Sequence, residues 1–395
     1  MINQNDIVEI LEKYDKDAIS IGVLGGHSAL DVCNGAKKLG FKTVVVAQKG
    51  REKTFTKYYK SREGGKGCVD EVILVDKFEN ITNDDVQEKL RELNTIFIHN
   101  RYFWVYFKHF SDIEDKFKVP IFGLRQGVKL EERDQPLNQY HLLEMADIRL
   151  PKILREGTKK STKEETTEIL EEHFVNGGGP ILVKANEAER DYERAFFVAN
   201  STDGFWEIGE KMVSEGKIVE NSLYSSVIEE YVVGAQINLN FFYSALTDEL
   251  ELMGTDTRRQ TDLDGFLRLN ADDQIALLKT GFKPKMIETG HYAVTMKESL
   301  VEKAYTIGEK FVKTMKEKVA PGMIGPFALQ GAVAAYEGKE EFVIFDVSMR
   351  IPGSPGTAST PYSGYMHGDS ISYGVRIAME IKTAVEADRL DEILT

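Results

Sequence analysis

The sequence predicts an α/β (α+β) protein: a mostly parallel sheet with helices on its faces comes first, and antiparallel strands follow. Three observations carry this. The chain has 395 residues, 42% of them hydrophobic and only ten of them proline, enough apolar material for two or three domains at a prior of roughly 150 residues each. Through about residue 125, short apolar runs alternate with helical spacing, the pattern of βα units. Beyond Arg125 the strand-like runs crowd together and alternate apolar with polar side chains, as in an antiparallel sheet with one face on a core.

The elements follow in order. Ala18 to Leu24 is a strand, Gly25-Gly26-His27-Ser28 a turn, and Leu30, Cys33 and Ala36 mark a helix that stops at Gly40. Thr43 to Ala47, Glu71 to Val75, Thr95 to His99 and Val119 to Phe122 are further buried strands, with a capped helix starting near Asn83-Asp84. Ligands of such sheets sit beyond the carboxyl ends of the strands, here the turn at Gly25 to Ser28 and the loop at Gln48 to Arg51. A helix near Leu137 to Met145 leads into a charged stretch, Lys159 to Glu172, and then the strand Ile181 to Lys184. Residues 181 to 260 read as one antiparallel module with strands at Ala195 to Asn200, Val227 to Val233, Gln236 to Tyr243 and Glu249 to Gly254. Leu300, Ala304, Ile307, Phe311 and Met315 give an amphipathic helix over Glu298 to Val319. Strands at Phe327 to Ala335 and Glu341 to Met349 and a helix from Ser370 to Leu394 close the chain.

Composition narrows the function. Lys and Arg total 50 against 64 Asp and Glu, a formal charge of −14, which opposes general binding to nucleic acid or to an anionic membrane. No window approaches the ~18 apolar residues of a membrane span, and the first residues lack the basic and apolar regions of a secretory signal. Two cysteines, Cys33 and Cys68, and no CxxC pair make a reducing, cytoplasmic setting the expectation. Seven histidines without HxxxH spacing argue against zinc.

Several residues are candidates for chemistry. In a regular strand Val343, Phe345, Val347, Met349 and Ile351 point one way, while Asp346, Ser348 and Arg350 share the other face with Ile344. Gln330 on the preceding strand would complete an oxygen-rich pair with Asp346 suited to Mg²⁺, with Arg350 placed to stabilise a transferring phosphoryl group. On spacing alone an ordinary Asp346–Arg350 ion pair on a solvated face is the commoner arrangement. Lys184 at a strand end can reach nucleotide phosphates or simply face solvent. Glu229-Glu230-Tyr231-Val232-Val233-Gly234 reads as a hinge for an adenine edge or as a strand with an acidic start. His27 and Ser28 sit where a helix N-terminus favours an anion, and Ser28 as an N-cap is compatible with that. Seven basic residues between Lys49 and Lys66 form either a solvated loop or the rim of an anionic-substrate site.

Taken together, Lys184, the 229–234 hinge, Gln330 and Asp346-Val347-Ser348-Met349-Arg350 occur in an order that resembles the ATP-grasp enzymes, and specifically the archaeal formate-dependent FAICAR synthetases of purine biosynthesis. Gly26-His27-Ser28-Ala29-Leu30, Lys49-Gly50-Arg51, Asp256-Thr257-Arg258-Arg259 with Asp264-Gly265, Gly322 to Phe327 and Arg376 to Ile381 extend the resemblance over nearly the whole chain. It implies an ATP-grasp fold with an N-terminal Rossmann-like domain (1–125), a small subdomain (126–235) and a large subdomain with the metal site (236–395). It implies a ligase that uses ATP and Mg²⁺ to phosphorylate formate and passes the formyl group to AICAR, giving FAICAR, ADP and phosphate, in a homo-oligomer. His27, Ser28, Tyr102, Arg258 and Asp262 would bind substrate, Lys184, Glu229, Glu230, Tyr231 and Val232 ATP, Gln330 and Asp346 Mg²⁺, and Arg350 would face the transferred group.

The chain departs from the family pattern at four places. Ala185 to Arg194 lacks the glycines of a phosphate-clamping loop; Asp346 replaces a glutamate; Asn100 to Tyr102 replaces a Gly-Ser type segment; and Asp262 replaces an asparagine. These leave room for a related carboxylate-amine ligase acting on another acid or ribotide, and for a nucleotide-binding paralogue without catalysis.

Overall fold

A computed structural model describes every residue except 1, 108, 158–159, 186–195, 337 and 354. The run Ser20–Leu24 is buried at every position and forms β1. Around it lie β2 (Lys42–Gln48), β3 (Glu71–Val75), β4 (Thr95–Ile98) and β5 (Ile121–Phe122), all parallel, in the order β3-β2-β1-β4-β5. Helices cover both faces, so β1, β2 and β4 read as near-continuous apolar runs rather than alternating ones. The order reverses between β1 and β4, which directs a ligand to the carboxyl end of β1.

A second sheet holds β6 (Ile153–Arg155), β7 (Ile181–Lys184), β8 (Phe196–Ala199) and β9 (Val227–Glu230) in the antiparallel order β6-β9-β7-β8. Ile181, Val183, Phe197 and Ile228 pack there against Leu170 and Phe205 of two covering helices, Lys163–Val175 and Thr202–Ser214. The third sheet is antiparallel throughout: β10 (Ala235–Ser244), β11 (Glu249–Gln260), β12 (Glu288–Ala293), β13 (Gly325–Tyr336) and β14 (Lys339–Ser348), in the order β12-β11-β10-β13-β14. Ile237, Leu239, Phe241, Phe327 and Leu329 form its apolar face and meet Leu300, Ala304, Phe311 and Met315 of the helix Glu298–Lys318.

The structure corrects several expectations. Residues 181 to 260 are divided between two sheets, because the chain leaves β9 after Glu230 and crosses to β10 past Gly234, where a Cβ would lie 2.6 Å from the Val333 carbonyl oxygen. The charged stretch after Lys159 carries the helix Lys163–Val175, started by a capping box between Thr162 and Glu165. The closing helix is Tyr373–Glu386, shorter than expected, and Asp388 beyond it adopts a left-handed φ of 57°. In β14, Gln330 pairs with Asp346 but Gly331 pairs with Ile344, so Phe345 is an extra residue in a β-bulge. Ile344 therefore joins Phe342, Val347 and Met349 in the core, and Phe345 turns to the face of Asp346.

The helix Tyr373–Glu386 returns to the first sheet and packs on Ala29–Lys38. The backbones touch at glycines: a Cβ on Gly35 would lie 2.0 Å from the carbonyl carbon of Gly374, and the Gly374 N–H donates to the Asp31 carboxylate at 2.9 Å. No described helix is long and apolar enough to cross a membrane.

Candidate functional site

A cavity of about 530 Å³ lies between the second and third sheets. Lys184, the last residue of β7, enters it almost fully buried, with 3% of its surface exposed. Its ammonium sits 2.6 Å from the Glu229 carboxylate on the neighbouring β9 and donates to the Tyr140 hydroxyl at 2.6 Å. That hydroxyl donates to Glu229 at 2.5 Å. Burial pushes the Lys184 pKa down to about 8, against the pull of Glu229. Tyr140 is fixed by the helix Gln139–Met145, whose cap Asn138 accepts the Tyr140 N–H at 2.9 Å.

The bulge completes this cluster. The Phe345 carbonyl accepts from Lys184 and Arg133 at 3.2 Å each and lies 3.2 Å from the Tyr140 hydroxyl. Arg133 also donates to Asp346 at 2.9 Å. Leu182, Phe197, Val198, Ile208 and Met212 supply apolar walls, and Glu230, Tyr231 and Val232 line the rim.

A second cavity of about 280 Å³ adjoins the first, and Asn238, Arg258, Met286, Ile287 and Gln330 line both. Gln330 and Asp346 stand opposite each other across β13 and β14. Arg258 donates to the Gln330 amide oxygen and lies 3.6 Å from Asp346. Its Nε is 3.2 Å from Glu288, whose carboxylate contacts His291 Nε2 at 3.0 Å, and His291 Nδ1 lies 2.6 Å from Asp256. Asn238 and Asn240 donate to the Asp256 carboxylate at 2.7 and 2.6 Å. Burial opposes charging of His291, but its hydrogen bonds to Asp256 and Glu288 outweigh that and hold its pKa up to about 9. On the far wall the Arg350 guanidinium lies 3.3 Å from Glu131, to which Arg101 donates at 3.1 Å.

The residues singled out in the sequence divide accordingly. Lys184, Glu229, Glu230, Tyr231 and Val232 gather on the first cavity; Gln330 and Arg258 stand on the shared wall, with Asp346 beside them on the first cavity. Arg350 and His27 face the second cavity, and Arg350 pairs with Glu131 in place of the ion pair with Asp346 that the spacing allowed. Ser28, Tyr102 and Asp262 line neither cavity. Ser28 has a left-handed φ of 64° and makes no side-chain cap; its hydroxyl instead donates to the Pro352 carbonyl at 2.7 Å. The Tyr102 ring covers Gly26, where a Cβ would fall 2.2 Å from it. Asp262 is exposed and accepts the Lys285 N–H at 3.2 Å.

The basic stretch carries two short helical segments, Thr54–Tyr58 and Glu63–Gly65, and lines neither cavity; Lys60 donates to the Asp70 carbonyl, and Arg51 to the Tyr106 hydroxyl at 2.8 Å. Of the glycine-poor loop, residues 186–194 lie outside the described residues. Sequence reading missed Arg133, Tyr140, Glu288, His291, Arg101 and Glu131. Among the described residues no group of three or more His, Cys, Asp or Glu is placed to hold a metal, so a cation here would depend on one carboxylate and the Gln330 amide.

Two family models match the chain: a protein family of unknown function, DUF1246, over residues 21–154, and a domain of unknown function, DUF1297, over residues 204–395. A 5-formaminoimidazole-4-carboxamide-1-(beta)-D-ribofuranosyl 5'-monophosphate synthetase of Methanothermobacter thermautotrophicus is 37% identical, over 100% of this chain and 99% of the relative. The synthetase of the same name from Methanocaldococcus jannaschii is 36% identical over 100% of both. Among solved structures, the IMP biosynthesis protein PurP of Thermococcus kodakaraensis aligns with a TM-score of 0.63 at 25% identity, covering 95% of this chain and 100% of that one. A biotin carboxylase complex with β,γ-ATP from Campylobacter jejuni aligns with a TM-score of 0.58 at 12% identity, over 93% of this chain and 71% of that one, a likeness of fold alone.

Proposed function

The chain belongs to the family of 5-formaminoimidazole-4-carboxamide-1-(beta)-D-ribofuranosyl 5'-monophosphate synthetases and has the ATP-grasp fold, and we propose on that premise that it ligates formate to AICAR at the expense of ATP in IMP biosynthesis. The γ-phosphoryl group passes from ATP to a formate oxygen, giving ADP and formyl phosphate. The AICAR amine then attacks the formyl carbon, the carbon–oxygen bond to phosphate breaks, and the amine gives up a proton to yield FAICAR. An acyl phosphate survives only if the amine is already in place and water is kept away. The observation that carries the reading is the wall common to both cavities: groups bound on either side would meet at Asn238, Arg258 and Gln330.

In this reading the first cavity takes ATP. Lys184 contacts its phosphates, the apolar walls enclose the purine, and the 230–232 rim follows the adenine edge. The Tyr231 N–H is already given to the Pro180 carbonyl, so that contact falls on the rest of the rim. Gln330 Oε1 and Asp346 Oδ2 offer two hard oxygens in register, a donor set that fits Mg²⁺ once Arg258 moves off them, while Arg133 keeps Asp346 Oδ1. Bound there, the ion would neutralise phosphate oxygens during transfer. His27 and Arg350 in the second cavity would hold the ribotide, and Arg350 would face the acyl phosphate from that side.

The test supplies purified protein with ATP, Mg²⁺, formate and AICAR and follows ADP and FAICAR by mass. FAICAR formation that needs formate and AICAR, and that Asp346→Asn abolishes while ribotide binding persists, is the expected result. ADP release without FAICAR would assign another acid or amine, and no ADP in any mixture would overturn the ligase reading.

A further inference from the structure

Arg258 stands between the two cavities and is held from both sides. One of its terminal nitrogens, Nη2, donates to Gln330 and lies 3.6 Å from Asp346, and its Nε is 3.2 Å from Glu288. Glu288 lines only the second cavity, where His291 bridges it to Asp256. A guanidinium and a divalent cation compete for the same oxygen lone pairs and repel each other at such range. Arg133 also holds Asp346, through Oδ1 at 2.9 Å, but Arg258 is the side chain that covers Gln330 and lies on the Oδ2 side, and it is also anchored to an anion facing the other substrate.

We propose that Arg258 is an exchange arm: it covers Gln330 and Asp346 while the first cavity holds no metal-nucleotide, and it releases them when metal-nucleotide binds. Tethered by Glu288, its charge then serves an anion, the formate carboxylate or the ribotide phosphate, at the junction. The proposal rests on Gln330 and Asp346 as the cation's ligands. It makes the cavities cooperative: metal-nucleotide strengthens anion binding and, by linkage, the anion strengthens metal-nucleotide binding by the same factor, about 5-fold or more. Glu288 and His291 become positioning residues for Arg258.

The experiment measures Mn²⁺ affinity by electron paramagnetic resonance in the presence of the β,γ-imido analogue of ATP, alone, with formate, and with AICAR. In the unmodified protein one of the two additions should tighten Mn²⁺ binding about 5-fold, and which one identifies the anion. Arg258→Gln should bind Mn²⁺ more tightly than the unmodified protein and lose the enhancement. Glu288→Gln, which frees the arm toward Asp346, should bind it more weakly. A simple loss of structure would weaken binding in both variants. Mn²⁺ affinity unchanged or weakened in Arg258→Gln, while Asp346→Asn abolishes binding, would overturn the exchange arm and leave the metal assignment standing. Normal Mn²⁺ binding by Asp346→Asn would overturn the metal assignment and the arm with it.

Discussion

Tyr140→Phe removes one oxygen from the centre of the nucleotide cavity and leaves the ring in place. The lost hydroxyl donates to Glu229 at 2.5 Å and accepts from Lys184 at 2.6 Å, both buried. A hydrogen bond to a charged partner contributes roughly 1.5–3 kcal/mol. The two are coupled through one atom, so they are taken as one contribution rather than summed. Lys184 and Glu229 keep each other at 2.6 Å, so neither is orphaned and no cavity opens. The expected cost is about 3 kcal/mol in urea unfolding. Because Lys184 loses one of its fixed partners, KM for ATP should also rise roughly 10-fold, equivalent to about 1.4 kcal/mol, with a smaller change in kcat. Unfolding within about 0.5 kcal/mol of the parent together with an unchanged KM would refute the view that the Tyr140 hydroxyl organises the cluster.

Three further outcomes follow from the same geometry. The depressed Lys184 pKa means that its cation is lost as pH rises through about 8, so KM for ATP should be flat near neutrality and climb above that pH; Lys184→Arg should remove the climb, and a climb that persists would point to another group. His291 has the opposite sign, its folded pKa raised to about 9 from 6.5, so its stabilisation is full below pH 6.5 and gone as pH passes 9. The shift corresponds to roughly 3 kcal/mol, and unfolding of the parent and His291→Gln should converge by about pH 10; a constant gap would contradict the Asp256–His291–Glu288 bridge. Gly35→Ala drives a methyl into the Gly374 backbone and should cost about 2–3 kcal/mol, whereas equal stability would mean that the two helices do not touch there.

Much of this was visible in the sequence where one signal dominates. The bounds expected from the apolar runs, Glu71 to Val75 and Ile181 to Lys184, are those of β3 and β7, although β3 is an edge strand with Glu71 and Leu74 exposed rather than a buried one. The alternation of adjacent strands predicts Gln330 and Asp346 on one polar face, and they are cross-strand partners in the register. What escaped has physical causes. Glu-Thr-Gly-His-Tyr-Ala of β12 has no apolar alternation, because neither face is fully buried, so Glu288 and His291 passed unnoticed. Tyr140 reads as a core residue of a helix, and nothing local reveals that its hydroxyl meets a lysine 44 positions away. Ser28 has the residue type of an N-cap, yet a backbone carbonyl 324 residues away claims its hydroxyl. Ile344 and Phe345 are both apolar, so hydropathy cannot tell which of them the bulge sends inward.

That bulge also separates two things that mutation usually changes together. Without Phe345 the ladder would close regularly, with Ile344 still opposite Gly331 and Asp346 still opposite Gln330. Its presence adds to the sheet a ring that lines the first cavity and a turned-out carbonyl that gathers Arg133 and Lys184. Loss of that one residue would leave both oxygens of the proposed cation pair in register and Lys184 and Arg133 on Glu229, Tyr140 and Asp346, but without the carbonyl that joins them at one point. In a relative, a gap at this position would mark altered nucleotide handling on an intact scaffold.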